Sequence, residues 1–375
     1  MPGTAPRRDA RDGARPVTLR PLRLLIVDDS IVARSILARA IAGRNEFEVV
    51  GTASGVAQAL ALLDKTSVDI VLLDVAMPGT DGLTALPEII ARGDGAHVLI
   101  VSAIAEEGAE ACLRALELGA SDTLPKPTSL GGGFGGRFAD LLADKLLRIG
   151  HAERGAKRIA RRRQAEASFK LRPSVAGPIE CLAIGASTGG LPALTAFLKA
   201  LPPSFTAPIL VTQHLPAPFM RFFAAQLRDL SGRPAAVARE GMQLRAGEIL
   251  VAPGDAHLGL ARSGGEVRVR LDQAPAPSAC LPSVDPMLEA VARCFGAHGI
   301  AVILSGMGRD GAIGAAVVIA AGGEVLAQDA ESAVIWGMPG AVATAGLASL
   351  VAAPGALAGH VRLRADIASG AGPWR

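Results

Sequence analysis

Short apolar runs alternate with longer amphipathic stretches along most of this chain, and one Arg- and Ala-rich segment near the middle interrupts them. A continuous apolar run bounded by turn residues marks a strand buried on both faces. Before the interruption the strand candidates are Leu22–Val27, Phe47–Ala53, Ile70–Asp74, Val98–Ser102 and Asp122–Leu124. Helices are expected over 31–42, 55–64, 82–91, 106–118 and 138–149. That βα alternation predicts a five-stranded parallel sheet with helices on both faces. After the interruption, from Ile179 onward, a second and larger α/β body is expected. Its runs Cys181–Ile184, Pro208–Val211 and Ile300–Leu304 read as buried parallel strands of a doubly wound, mainly parallel sheet.

The resulting organisation is a tail over 1–20, a first domain over 21–150, a linker over 151–177 and a second domain over 178–370. The tail is rich in Arg, Pro and Gly and is expected to be disordered. Residues 130–136 hold five glycines and read as a flexible joint before the last helix of the first domain. The linker reads as partly helical and partly extended, ending in Pro173 and Pro178.

Composition narrows the function classes. The formal charge is +3, but residues 137–172 carry eleven Lys/Arg against four Asp/Glu and residues 1–23 carry six against two. Without those segments the folded bodies are acidic, so a nucleic-acid surface is a poor reading. Aromatics make up 3% of the chain and tyrosine is absent, which argues against a base-stacking platform. No apolar run reaches membrane-spanning length, and the Arg- and Asp-containing first residues do not read as a secretory signal. Cys112, Cys181, Cys280 and Cys294 show no C-x-x-C spacing and fit reduced thiols in a cytoplasmic protein better than a disulfide framework or a zinc site.

In an open parallel sheet the strand ends share one edge, and ligands bind there. In the first domain that edge collects Asp28 and Asp29, followed by Ser30, then Asp74, Ser102 and Lys126. Clustered carboxylates repel one another unless a cation sits between them, and Mg²⁺ prefers oxygen donors. One carboxylate can then act as a nucleophile toward phosphorus. With Met77-Pro78 and Asp81-Gly82 in place, the stretch resembles the receiver domain of bacterial response regulators, a flavodoxin-like fold. The resemblance implies that Asp74 is the phosphoacceptor. Asp28, Asp29, Asp74 and the Ala76 carbonyl would hold Mg²⁺, and Ser102 and Lys126 would be the switch hydroxyl and lysine. Alanine at position 76 departs from the polar residue often found there.

In the second domain the edge collects Gly185-Ala186-Ser187-Thr188-Gly189-Gly190, Gln213-His214 and Gly306-Met307-Gly308-Arg309-Asp310-Gly311. Serine, histidine and aspartate are what a triad hydrolase needs. Ser187 precedes a helix-like stretch, whose N-terminal N–H groups are expected to be available to an oxyanion. A phosphate-binding loop is the rival reading of the glycines. His257 competes with His214, since it too follows a strand, and Asp255, Asp285 and Asp329 compete with Asp310. The G-x-S-x-G match does not indicate an α/β-hydrolase, because there the acid precedes the histidine in the chain.

Residues from Ile179 to about Gly359 resemble the catalytic domain of the chemotaxis protein-glutamate methylesterases, the CheB family. The resemblance rests on the three segments above together with Ala252-Pro253-Gly254-Asp255-Ala256-His257 and Pro282-Ser283-Val284-Asp285. It implies Ser187 as nucleophile, His214 as base then acid, Asp310 as its orienting partner, Met307 N–H in the oxyanion hole and Thr188 lining the site. It also implies hydrolysis of glutamate methyl esters on methyl-accepting chemoreceptors, releasing methanol, and deamidation of receptor glutamines. Hydrolysis would need no cofactor, and Mg²⁺ would serve only the receiver. A chemotaxis histidine kinase would be the phosphodonor, with no nucleic-acid partner and no direct membrane insertion. Two alternatives are a response regulator with a DNA-binding second domain, which the charge distribution disfavours, and a methylesterase-like regulator of a non-chemoreceptor protein.

Overall fold

The computed structural model describes residues 20–78, 81–102, 106–126, 136, 138–150 and 170–367. The expected tail, except Arg20, lies outside these residues, as do most of the glycine joint and the linker up to residue 169.

The first body runs β1 (Leu22–Val27), α1 (Ile31–Ile41), β2 (Phe47–Ala53), α2 (Val56–Leu63), β3 (Ile70–Leu73), α3 (Gly82–Arg92), β4 (His97–Ser102), α4 (Glu106–Glu117) and β5 (Asp122–Pro125), then α5 over residues 138–150. Its sheet has the order β2-β1-β3-β4-β5, and every pairing is parallel. The central strands are buried at all but one position each in β1 and β4, which is why they read as apolar runs. Helix starts follow their caps: Ser30 Oγ accepts from Ala33 N–H at 3.2 Å and Asp81 Oδ1 from Thr84 N–H at 2.6 Å. The Asp81 carboxyl is held below its ordinary range by those Thr84 bonds. Gly82 is required by contact, since a Cβ there would lie 2.1 Å from the carbonyl oxygen of Asp74.

The second body runs β6 (Cys181–Ala186), α6 (Gly190–Ala200), β7 (Ile209–Gln213), α7 (Ala217–Ser231), β8 (Ala235–Val237), β9 (Ile249–Val251), β10 (His257–Ser263), β11 (Glu266–Asp272), α8 (Val284–Phe295), β12 (Gly299–Ile303), α9 (Ala312–Ala320), β13 (Glu324–Gln328), α10 (Met338–Thr344), β14 (Leu350–Ala352) and α11 (Pro354–Ile367). Seven strands form one parallel sheet in the order β14-β13-β12-β6-β7-β9-β8. β10 and β11 form a separate antiparallel hairpin. From β6 the chain winds outward through β7, then returns to the other side of β6 through β12. The crevice between β6 and β12 is therefore the topological switch point, where ligands bind in such sheets.

Residues 170–177 lie along the second body: Arg172 N–H donates to the Ala348 carbonyl at 3.0 Å, and Arg364 donates to that of Gly177 at 3.2 Å. Beneath the sheet, Phe197 of α6 and Phe223 of α7 are fully buried. No helix among the described residues is long and apolar enough to cross a membrane.

Candidate active site

β12, β6 and β7 are neighbours in the sheet, so their C-terminal ends bring Asp310, Ser187 and His214 together. His214 Nδ1 lies 3.0 Å from Ser187 Oγ, and Nε2 lies 2.8 Å from Asp310 Oδ2. The carboxylate can only accept, so Nε2 carries a proton and Nδ1 offers its lone pair to the hydroxyl. The turn holding Ser187 is tied from several sides. Ser187 N–H donates to the Ser305 carbonyl at 3.0 Å, and Gln213 Nε2 donates to the Ser187 carbonyl at 2.9 Å. Gly306 packs so closely that a Cβ there would lie 3.0 Å from Cβ of Ser187 and 2.3 Å from Met338 Sδ.

Asp310, in the turn before α9, is buried against the start of α8. Its Oδ1 accepts from Ser283 Oγ at 2.7 Å, Gly311 N–H at 3.0 Å and Asp285 N–H at 3.3 Å, and its Oδ2 accepts from Val284 N–H at 2.7 Å. Ser283 occupies the cap position of α8 without capping it, because its hydroxyl goes to Asp310, and Asp310 takes the helix's first N–H groups instead. Burial works to raise the Asp310 carboxyl, but the His214 bond and charge and these donors hold it well below the usual carboxylate range. Burial likewise works to lower the His214 imidazole. Its bond to Asp310 prevails, aided by the nearby Cys280, and pushes it up to about 9. Burial and the neighbouring Asp310 charge raise the Asp285 carboxyl.

The rival residues take other places. His257 Nδ1 accepts from Ser283 N–H at 2.9 Å and Nε2 donates to the Ala274 carbonyl at 2.9 Å, so this buried ring braces the segment leading to α8. Asp329 bonds Ser332, and the Asp285 carboxylate accepts from Gly314 N–H at 2.7 Å. Asp255 lies in the turn after β9, with its carbonyl accepting from Gln273 Nε2 at 3.1 Å.

One expectation is corrected. The N–H groups opening α6 are not a free oxyanion cradle: that of Ser187 bonds Ser305, that of Gly190 bonds the Ser187 carbonyl, and that of Gly189 bonds the Ser121 carbonyl of the first body. The N–H groups of Thr188 and Met307 carry no hydrogen bond to another described residue. Sequence reasoning placed Gln213 at this edge without giving its amide a role, and it did not place Cys280 there.

The first body sits against this edge. Thr188 Oγ1 donates to Asp122 Oδ2 at 2.7 Å, an oxygen that also meets Lys145 Nζ at 2.7 Å. Met307 and Val334 pack against an apolar cluster that includes Ile335 and Phe138, Leu142 and Leu146 of α5. The edge of the first body's own sheet gathers the expected acidic set. Lys126 Nζ bridges Asp28 Oδ2 at 2.7 Å and Asp74 Oδ2 at 2.6 Å, and Ala76 N–H donates to Asp74 Oδ1 at 3.3 Å. Ser102 is buried at the end of β4. Burial, aided by the Asp28 charge, raises the Asp74 carboxyl despite Lys126. The Lys126 ammonium is held above its ordinary value against burial by its bonds to Asp28 and Asp74. Oxygens of Asp28, Asp29 and Asp74 lie within 4.8 Å of one another. An all-carboxylate oxygen set fits a hard divalent cation, while the Lys126 ammonium balances the charge of Asp28 and Asp74.

Comparison with known proteins agrees with this division. Residues 24–131 match the family model of the response regulator receiver domain, and residues 182–361 match that of the CheB methylesterase. A protein of Paramagnetospirillum magneticum named protein-glutamate methylesterase/protein-glutamine glutaminase 1 is 38% identical, over 91% of this chain and 95% of its own length. One of Caulobacter vibrioides, named protein-glutamate methylesterase/protein-glutamine glutaminase 2, is 43% identical over 88% of this chain and 95% of its own. The crystal structure of the Thermotoga maritima CheB methylesterase catalytic domain is 37% identical, with a TM-score of 0.48, over 50% of this chain and 99% of that one. This chain belongs to the protein-glutamate methylesterase/protein-glutamine glutaminase family, with a receiver domain preceding a CheB methylesterase domain.

Proposed function

We propose that this chain hydrolyses glutamate methyl esters on methyl-accepting chemoreceptors, deamidates receptor glutamines at the same site, and is switched by phosphorylation of its receiver domain. The observation that carries the reading is the continuous hydrogen-bonded line from Asp310 through His214 to Ser187 at the sheet's switch point. Ser187 Oγ attacks the ester carbonyl as His214 Nδ1 takes its proton. The imidazolium so formed is stabilised by Asp310, which stays ionised. The tetrahedral oxyanion is received by the N–H of Met307, with Thr188 lining the same space. Collapse expels methanol, protonated by His214, and leaves a glutamyl ester on Ser187. Water, activated by His214, attacks that ester and returns the serine and a receptor glutamate. With a glutamine side chain the leaving group is ammonia and the later steps are identical.

In the receiver domain Asp74 attacks the phosphorus of a phosphohistidine on a chemotaxis histidine kinase, giving an aspartyl phosphate. Asp28, Asp29, Asp74 and the Ala76 carbonyl would hold Mg²⁺, which supplies charge neutralisation on the phosphoryl oxygens. Ser102 and Lys126 bond those oxygens once the phosphoryl group arrives. The new charge, close to two negative units, draws Lys126 off its bridge between Asp28 and Asp74. β4, α4 and β5 carry the rearrangement to Asp122 and Ser121, which bond Thr188 and Gly189 beside the nucleophile. Loosening that contact opens the catalytic edge to receptor. The reaction belongs in the cytoplasm, where the kinase and the receptor's methylated helices meet.

Acid quenching during turnover of methylated receptor tests the reading. It should trap an acyl adduct on the peptide carrying Ser187, and an adduct on any other residue contradicts it.

A further inference from the structure

Cys280 carries a thiol at the catalytic edge that the reaction leaves unused. It stands in the segment between β11 and α8, reduced and half-buried, beside Ala279 in the left-handed conformation (φ 56). A ring nitrogen of His214, the thiol of Cys280 and a carboxylate oxygen of Asp310 all lie within 4.8 Å of one another. The three come from separate places: the end of β7, the segment before α8 and the turn before α9. That is why no C-x-x-C or His-x-His spacing announces them.

Imidazole, thiolate and carboxylate are the donors that Zn²⁺ takes, at about 2.0–2.3 Å in a tetrahedral arrangement. Donors so placed stand roughly 3.3–3.7 Å apart, a spacing that side-chain rotation can reach from a cluster no wider than 4.8 Å. Three protein donors leave the fourth position to water. Hard cations do not compete here, because Mg²⁺ prefers all-oxygen sites such as the three carboxylates of the receiver.

The geometry points to an inhibitory Zn²⁺ site formed by His214, Cys280 and Asp310. This rests on the reading of His214 as the base for Ser187. A metal on one ring nitrogen leaves the imidazole proton on the other. No lone pair then remains to accept the Ser187 proton, and Asp310 is shared with the cation. Cys280 binds as the thiolate and releases its proton to solvent. The inhibition is reversible, since no covalent bond to the enzyme's carbon framework is made.

Two readouts on the full chain, with Mg²⁺ in excess, test this. The first is Co²⁺ titration. One equivalent should produce a near-ultraviolet thiolate-to-cobalt band that Zn²⁺ bleaches. The band should survive in Cys294→Ser and vanish in Cys280→Ser. Alkylating the folded Cys294→Ser protein with iodoacetamide should abolish it too, which covers a Cys280→Ser chain that fails to fold. The second readout is methanol release from methylated receptor. Zn²⁺ should inhibit the unsubstituted protein and a chelator should restore it. Cys280→Ser, compared with its own zinc-free rate, should need roughly tenfold more metal or above, as expected when a metal site loses a contact. A band that persists in Cys280→Ser, no band in the unsubstituted protein, or equal zinc sensitivity in both overturns the site. A cobalt band in a protein that releases no methanol under any condition overturns the reading of Ser187 and leaves the metal site standing.

Discussion

At the scale of single residues, the His214–Asp310 pair decides how the site responds to pH. Its imidazole is pushed up to about 9, and only the neutral form of the ring, with its Nδ1 lone pair free, can serve as base. We expect kcat/KM to climb with pH through about 9. The same shift has the opposite effect on stability. A group whose folded value is raised stabilises fully below its unfolded value and loses that contribution as pH rises through the folded one. Melting temperature should therefore fall over the alkaline range in which activity rises, and a flat rate profile between neutral and alkaline pH would contradict the assignment. The depressed Asp310 carboxyl acts at the other limit, stabilising above the usual carboxylate range and losing its contribution in acid. The His214 ring was locatable in the sequence because it follows a buried strand directly. His257 follows a strand-edge turn as plausibly, and only the structure shows that its two ring nitrogens are taken up by Ser283 and Ala274.

At the scale of elements, the start of α8 is the part that sequence reasoning understated. Pro282-Ser283-Val284-Asp285 was recognisable as a motif, yet the reason for it is a contact across 27 positions: the Ser283 hydroxyl and the first N–H groups of the helix converge on Asp310. Ser283→Ala removes one of these donors to a charged acceptor, typically worth about 1.5–3 kcal/mol. It should lower kcat by roughly tenfold or more while leaving the fold intact by circular dichroism. His257→Ala should instead lower melting temperature, because it strands a buried N–H, and should reduce activity less than His214→Ala does. In the receiver, Asp74→Asn should abolish labelling by a small phosphodonor with Mg²⁺ and leave basal esterase in place. Labelling that survives would move the acceptor. The buried strands were readable because burial on both faces leaves apolar residues at most of their positions. The hairpin β10–β11 went unread although Glu266–Asp272 alternates exposed and buried positions along much of its length, as a strand with one wet face does.

At the scale of the whole molecule, strand order and the seating of one domain on the other lie beyond what a single sequence displays. Apolar runs announce strands but not their neighbours, so the adjacency of β12, β6 and β7 had to come from the structure. Nor does any local pattern announce the bond from Thr188 to Asp122 or the packing of Met307 and Val334 against the cluster that includes α5. These contacts put the receiver over the proposed oxyanion donor and beside Ser187. A fragment beginning near Leu171 should therefore be faster than the unphosphorylated chain, by the roughly 5–150-fold typical of coupling between sites, and indifferent to phosphodonor. The most direct test of the account is initial methanol release from methylated chemoreceptor by the full chain, with and without a small phosphodonor and Mg²⁺, beside the same chain carrying Ser187→Ala. The account predicts release that the phosphodonor accelerates and that Ser187→Ala abolishes. Release that persists in Ser187→Ala would contradict it.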